Sequence, residues 1–104
     1  MMEISVSTLK DKLENNENFI LLDVREKTEL DICALEGAMH IPMMSIPKML
    51  SELDKKIPIV AMCHTGVRSS QVCLYLMQHG YDAVNLQGGI DAWAKEIDPG
   101  LKQY

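Results

Sequence analysis

Aromatic side chains are scarce in this sequence: one Phe, one Trp and three Tyr stand against eight Met. A core built from such a chain has to be filled with aliphatic side chains and flexible thioethers. Cysteine is also scarce. Cys33, Cys63 and Cys73 form an odd set without framework spacing, which excludes a disulfide scaffold and suits a reducing cytoplasm. No Cys or His stands at metal-ligand spacing, because Cys63-His64 is adjacent and lacks partners, so neither a metal nor a cofactor is expected. Lysine and arginine do not cluster and the net charge is −5, which argues against nucleic acid or an anionic membrane as partner. No apolar run approaches the ~18 residues of a membrane span, and Met1-Met2-Glu3-Ile4-Ser5 lacks the basic and apolar regions of a secretory leader. What is present, 104 residues at 47% hydrophobic and 24% charged, suits one globular domain over residues 1–104, expected to be a cytoplasmic monomer.

Short apolar strands alternate with helical segments along the chain. Strands are expected at Glu3–Val6, Phe19–Val24, Gly37–Pro42, Ile57–Met62 and Ala83–Leu86. Helices are expected at Thr8–Leu13 with Ser5 or Ser7 as cap, at Lys27–Ile32, at Ser45–Leu53 with Met49, Leu50 and Leu53 buried, at Val67–Met77 and at Ile90–Glu96. This alternation predicts an α/β fold, a doubly wound and mainly parallel sheet of about five short strands with helices on both faces. Ligands bind such sheets beyond the carboxyl ends of the strands, and Asp23, Cys63 and Gly88-Gly89 all fall there.

The segment Cys63-His64-Thr65-Gly66-Val67-Arg68-Ser69 leaves a strand and winds into a helix. Successive N–H groups of such a loop curl into a nest, and the helix adds unpaired N–H groups and a positive dipole end. A free thiol titrates near ~8.5, and settings of this kind lower it to roughly 3.5–7.5. Cys63 is thereby expected to be a nucleophile at neutral pH. Cys33 and Cys73, set among apolar neighbours, read as core.

Four motifs now stand in order: Leu21-Leu22-Asp23-Val24-Arg25-Glu26, Glu36-Gly37-Ala38-Met39-His40-Ile41-Pro42, the Cys63–Ser69 loop, and Asn85-Leu86-Gln87-Gly88-Gly89-Ile90-Asp91-Ala92-Trp93. Together they resemble the rhodanese family over nearly the whole chain. The resemblance implies a rhodanese-like fold and a single-domain sulfurtransferase in which the loop cysteine, Cys63 here, carries sulfane sulfur as a persulfide. The implied partners are a small sulfur donor or a persulfide-bearing protein, and an acceptor that is cyanide, a thiol or a sulfur-acceptor protein. Members that use thiosulfate have basic residues directly after the cysteine, where this chain has His64 and Thr65. A dianionic donor therefore meets less positive charge here.

On this reading His64, Thr65, Gly66, Val67, Arg68 and Ser69 bind substrate, and Asp23, Arg25, Gly88 and Gly89 support the site. Arg68 can point into the cup or bridge outward to a carboxylate. His64 can steady the thiolate or simply face solvent. Asp23 at a strand end can accept N–H bonds, and Arg25 can pair with an acidic side chain and brace the rim. Two other functions fit the same fold. One is a non-catalytic interaction module, a role found in relatives that lack the loop cysteine. The other is a phosphatase or arsenate reductase, whose cup needs a longer loop than the four residues between Cys63 and Arg68.

Overall fold

Continuous apolar runs become the middle of the sheet, because only a strand covered on both faces can bury every residue. A computed structural model, describing residues 2–104, gives nine regular strands and helices and two 3₁₀ segments among those residues. They are β1 (Glu3–Ile4), α1 (Val6–Glu14), β2 (Ile20–Asp23), α2 (Lys27–Leu30), β3 (Met39–His40), β4 (Ile59–Met62), α3 (Val67–Gln78), β5 (Ala83–Leu86) and α4 (Gly89–Glu96). The strands form one sheet in the order β1-β5-β4-β2-β3, and every pairing is parallel. The α/β expectation of about five short strands holds.

Side chains alternate across the sheet. Leu21, Val60, Met62 and Leu86 pack with Val6, Leu9, Ile90 and Trp93, so α1 and α4 cover that face. Leu22, Ile59, Ala61 and Ala83 pack with Val72, Cys73, Leu76, Ile46 and Leu53 on the other, beneath α3 and the 3₁₀ segments. The fully buried Cys73 belongs to that core, and burial pushes its thiol up to about 12. Chain order runs β2 to β3 on one side and β4 to β5 on the other, so the direction of winding reverses between β2 and β4. That is where a doubly wound sheet opens a crevice beyond its carboxyl ends.

Local structure departs from expectation at several ends. Ser5 is the cap of α1, its hydroxyl accepting from the Thr8 N–H at 3.1 Å, so Val6 opens the helix instead of ending a strand. β3 is confined to Met39–His40, and β4 starts only after Pro58, which has no N–H to give a ladder. The helix expected at Ser45–Leu53 is two 3₁₀ segments, Met43–Ser45 and Pro47–Glu52, with a kink at Met49 (φ −111°, ψ 15°). Pro47 removes a donor from the middle of this stretch, and the bonds that remain span three residues, such as Ile46 N to Met43 O and Met49 N to Ile46 O. Leu53 is buried and Met49 and Leu50 half-buried, as the pattern predicts, but Ile46 is buried deeper than any of them.

At the carboxyl end of β2, Asp23 and Arg25 are fully buried charges. The Arg25 Nε donates to Asp23 Oδ1 at 3.0 Å and Nη2 to Oδ2 at 2.7 Å, while the Arg25 N–H also donates to Oδ1 at 3.0 Å. Nη2 donates further to the Cys33 carbonyl at 2.9 Å and Nη1 to the Tyr104 hydroxyl at 3.0 Å. Burial works against the guanidinium charge, but the hydrogen bonds with Asp23 and Tyr104 outweigh it and raise its pKa. Removing one member of such a pair leaves the other charge buried and alone. Arg25→Met is accordingly expected to lower unfolding free energy by about 3–5 kcal/mol, read from urea denaturation. A loss within ±0.5 kcal/mol, typical of a surface site, would show the pair to be dispensable.

Candidate active site

Cys63 follows β4 and is only 1% exposed, at the bottom of a loop whose Cys63, His64 and Gly66 carbonyls are occupied elsewhere. The first N–H groups of α4 take two of them: Ile90 N donates to Cys63 O and Asp91 N to His64 O, both at 3.0 Å. These are donors a helix start leaves without partners. The approach is possible because residue 89 is glycine. A β-carbon there would lie 2.5 Å from both the Cys63 and the His64 carbonyl oxygens. The Gly66 carbonyl accepts from Asn85 Nδ2 at 3.0 Å and from Ser70 N at 3.2 Å. Gly66 itself, at φ 108°, makes the left-handed step into α3.

With the carbonyls turned outward, the loop's N–H groups face the sulfur. Gly66 N donates to Cys63 Sγ at 3.1 Å, and the Ser69 hydroxyl lies 3.3 Å from it. Burial alone raises a thiol's pKa. Here the Ser69 hydroxyl and the N–H groups of Ser69, Gly66 and Thr65 more than reverse that, and Cys63 falls below the ordinary thiol value.

The Ser69 hydroxyl has a second acceptor, Asn85 Oδ1 at 2.5 Å. The Asn85 orientation is fixed by its other contacts, since Glu3 Oε2 and Gly66 O can only accept and so require its NH₂ on their side. One hydroxyl hydrogen cannot serve two acceptors. Of the two contacts the one to Asn85 is the shorter, so Cys63 and Asn85 compete for a single donor.

Arg68 resolves the alternative left open by the sequence: it bridges outward. Its Nη1 and Nη2 grip Glu29 Oε1 and Oε2 at 2.6 and 2.8 Å. Glu29 also accepts from Glu26 N at 3.0 Å and from the Tyr104 hydroxyl at 2.7 Å. The Arg68 hydrogen bonds, first among these, hold the Glu29 carboxyl at about 2 against the opposing effect of burial. Tyr104 thus joins the Asp23–Arg25 pair to the Glu29–Arg68 pair. Its ring stacks on His64, centroids 3.9 Å apart and planes 10° apart, and His64 Nε2 is buried without a partner.

The loop, Gly88-Gly89 and α4 therefore meet around Cys63, while Asp23 and Arg25 reach that loop through Tyr104 and Glu29. Thr65 and Val67 are exposed at its outer surface. Sequence reasoning missed Glu29, Asn85 and Tyr104 as parts of this arrangement. Asn85 did leave a signal, a polar residue in the otherwise apolar Ala83–Leu86 strand, which a buried position tolerates only with partners. Glu29 and Tyr104 left none. Among the described residues no group of three or more His, Cys, Asp or Glu could hold a metal ion, and no helix is long and apolar enough to cross a membrane.

Known proteins share this arrangement of chain. Residues 5–96 match the Rhodanese-like domain family. The chain is 42% identical over 94 residues to a protein named Sulfurtransferase from Allochromatium vinosum, covering 89% of this chain and 88% of that one. Of the solved structures, it resembles a rhodanese-like domain protein from Staphylococcus aureus (TM-score 0.88, 36% identity, 100% of this chain and 99% of that one). It also resembles a protein from Staphylococcus saprophyticus subsp. saprophyticus (TM-score 0.86, 37% identity, 99% and 100%).

Two measurements follow from the site. Alkylation rate against pH should give a Cys63 midpoint below that of an ordinary free thiol. Ser69→Ala should move it upward by about one pH unit, the effect of losing one hydrogen bond to a charged group. An unmoved midpoint would remove Ser69 from the thiolate's support. The second concerns stability. Glu29 titrates at about 2 when folded and from 4.5 as a free side chain. A depressed folded pKa adds stability above the unfolded value and loses it as pH falls toward the folded one. Wild type should therefore lose stability between about pH 4.5 and 2, and Glu29→Gln should show a shallower slope across that window. Parallel curves would refute the ion pair's part in acid stability.

Proposed function

This chain belongs to the rhodanese-like domain family, and on that premise we propose that it is a sulfurtransferase carrying sulfane sulfur as a persulfide on Cys63. The single observation that carries the reading is a buried thiol whose sulfur is met by the Gly66 N–H at 3.1 Å and the Ser69 hydroxyl at 3.3 Å, donors that favour its anion and lower its pKa. A buried structural cysteine behaves in the opposite way, as Cys73 does. The donors are neutral amides and a hydroxyl, so they favour an anionic sulfur without presenting an acid that would protonate it.

The reaction runs in two halves. The Cys63 thiolate attacks the outer sulfur of a donor R–S–SH. The donor's S–S bond breaks, its electron pair leaves on R–S⁻, and Cys63–S–SH remains. A second nucleophile, whether cyanide, a thiol or a protein-borne thiol, then attacks that outer sulfur, and the electron pair returns to Cys63 as thiolate. Covalent catalysis of this form predicts ping-pong kinetics. Thr65, Gly66 and Ser69 supply the N–H groups, Gly89 lets α4 hold the loop, and Glu29 and Tyr104 fix its outer side. The three unpaired cysteines suit a reducing compartment such as the cytoplasm.

Cys63→Ser should abolish transfer of sulfur to cyanide, measured as thiocyanate, and abolish the sulfur adduct seen by intact-protein mass after exposure to a donor. Cys33→Ser and Cys73→Ser should keep most of both. Retained loading in Cys63→Ser would sink the assignment, and a loss in Cys73→Ser equal to that of Cys63→Ser would point to a resolving thiol instead.

A further inference from the structure

The Cys63–Ser69 loop contains one lysine or arginine, Arg68. Its charge is not free. Both Nη atoms are engaged by both oxygens of Glu29, in the bidentate geometry that suits guanidinium to carboxylate. The Arg68 side chain is 35% exposed and that of Glu29 17%, so the pair is only partly screened by solvent. Arg25, the other guanidinium in this hydrogen-bonded cluster, is matched in the same manner by Asp23. Tyr104 closes the cluster by donating to Glu29 and accepting from Arg25. Two cations and two anions thus cancel beside the cup, and an arriving donor meets a thiolate whose support is amide and hydroxyl dipoles.

We propose that Glu29 is a specificity-determining residue: by occupying Arg68, it fits Cys63 to neutral or singly charged sulfane donors and against doubly charged ones. The inference rests on the sulfur-transfer reading of Cys63. Its physical basis is simple. Each extra negative charge on a donor adds repulsion from the thiolate, and here no uncompensated loop cation offsets it. Glu29 acts through Arg68 and does not touch the reacting atoms.

A matched pair of probes isolates charge from chemistry. Thiosulfate is a dianion and methanethiosulfonate a monoanion that differs by a methyl group in place of one oxyanion. With either, the Cys63 thiolate takes the outer sulfur, the bond between the two sulfurs breaks, and the electron pair leaves on sulfite or methanesulfinate. The quantity to measure is the ratio of second-order loading rates, thiosulfate over methanethiosulfonate, from intact-protein mass at pH 8. Glu29→Gln keeps a hydrogen-bonding side chain of the same length and frees the charge of Arg68. The ratio should rise about tenfold at low salt, and the rise should shrink as ionic strength increases. Arg68→Gln leaves Glu29 uncompensated, and the ratio should fall by about as much. The double variant should return to the wild-type ratio.

The two opposed variants keep the test decisive if either one folds poorly. Loading by methanethiosulfonate with an unchanged ratio in the folded variants would overturn the role of Glu29 and leave sulfur transfer standing. A changed ratio that ignores salt would also overturn it, since only a structural effect lacks screening. Failure of both probes to load Cys63 in the wild type would overturn this inference, and failure of a persulfide donor R–S–SH as well would bring down the sulfur-transfer reading itself.

Discussion

The arrangement at Cys63 depends on one set of contacts: the first N–H groups of α4 take the carbonyls of Cys63 and His64. A peptide unit has its N–H and C=O on opposite sides, so anchoring the carbonyls outward commits the amides to the inside. The loop does not have to be drawn around its sulfur by a ligand. It is held open-handed by a neighbouring helix, and that helix can come close enough only because Gly89 has no side chain to collide with the loop backbone. A donor-lined cup therefore exists before any substrate arrives, which spares the chemistry a reorganisation step.

Around this loop the molecule keeps its strong charges in matched pairs. Asp23 with Arg25 closes the end of β2, and Glu29 with Arg68 ties α2 to the first turn of α3. The hydroxyl of Tyr104 connects them, and its ring covers one face of His64. Rigidity comes from saturation. Both oxygens of Glu29 are shared between two donors each, so rotating the carboxylate would strand several groups at once.

Much of this was legible in the chain, and the reason is locality. Strands β2 and β4 announce themselves as apolar runs, and the step from β4 through Cys63 to α3 is written in consecutive residues with a glycine at the turn. The parallel sheet followed from alternation alone. What could not be read involves partners far apart in sequence. Arg68 and Glu29 lie 39 residues apart, and nothing in the pattern around either says which carboxylate a loop arginine will choose. Tyr104 is 75 residues from Glu29, and its place over His64 depends on how the last turn of chain is laid down. The stretch from Ser45 to Leu53 failed for a different reason. Its apolar spacing fits a helix, but Pro47 breaks the bond series and leaves 3₁₀ turns that present nearly the same faces.

The single hydrogen on Ser69 has a further implication. Because Asn85 and Cys63 compete for it, a thiolate that drew the hydrogen to itself would deprive a buried amide oxygen of its donor, and that amide also secures the Gly66 carbonyl and reaches Glu3 on the edge strand. The charge state of one sulfur would by this route reach the far side of β5. A loaded sulfur, an empty thiolate and a protonated thiol would each set a different tension on the same amide. The sheet edge becomes a place where the state of the cysteine could be observed without touching the cysteine at all, for example in the exchange rate or chemical shift of the Asn85 side-chain protons.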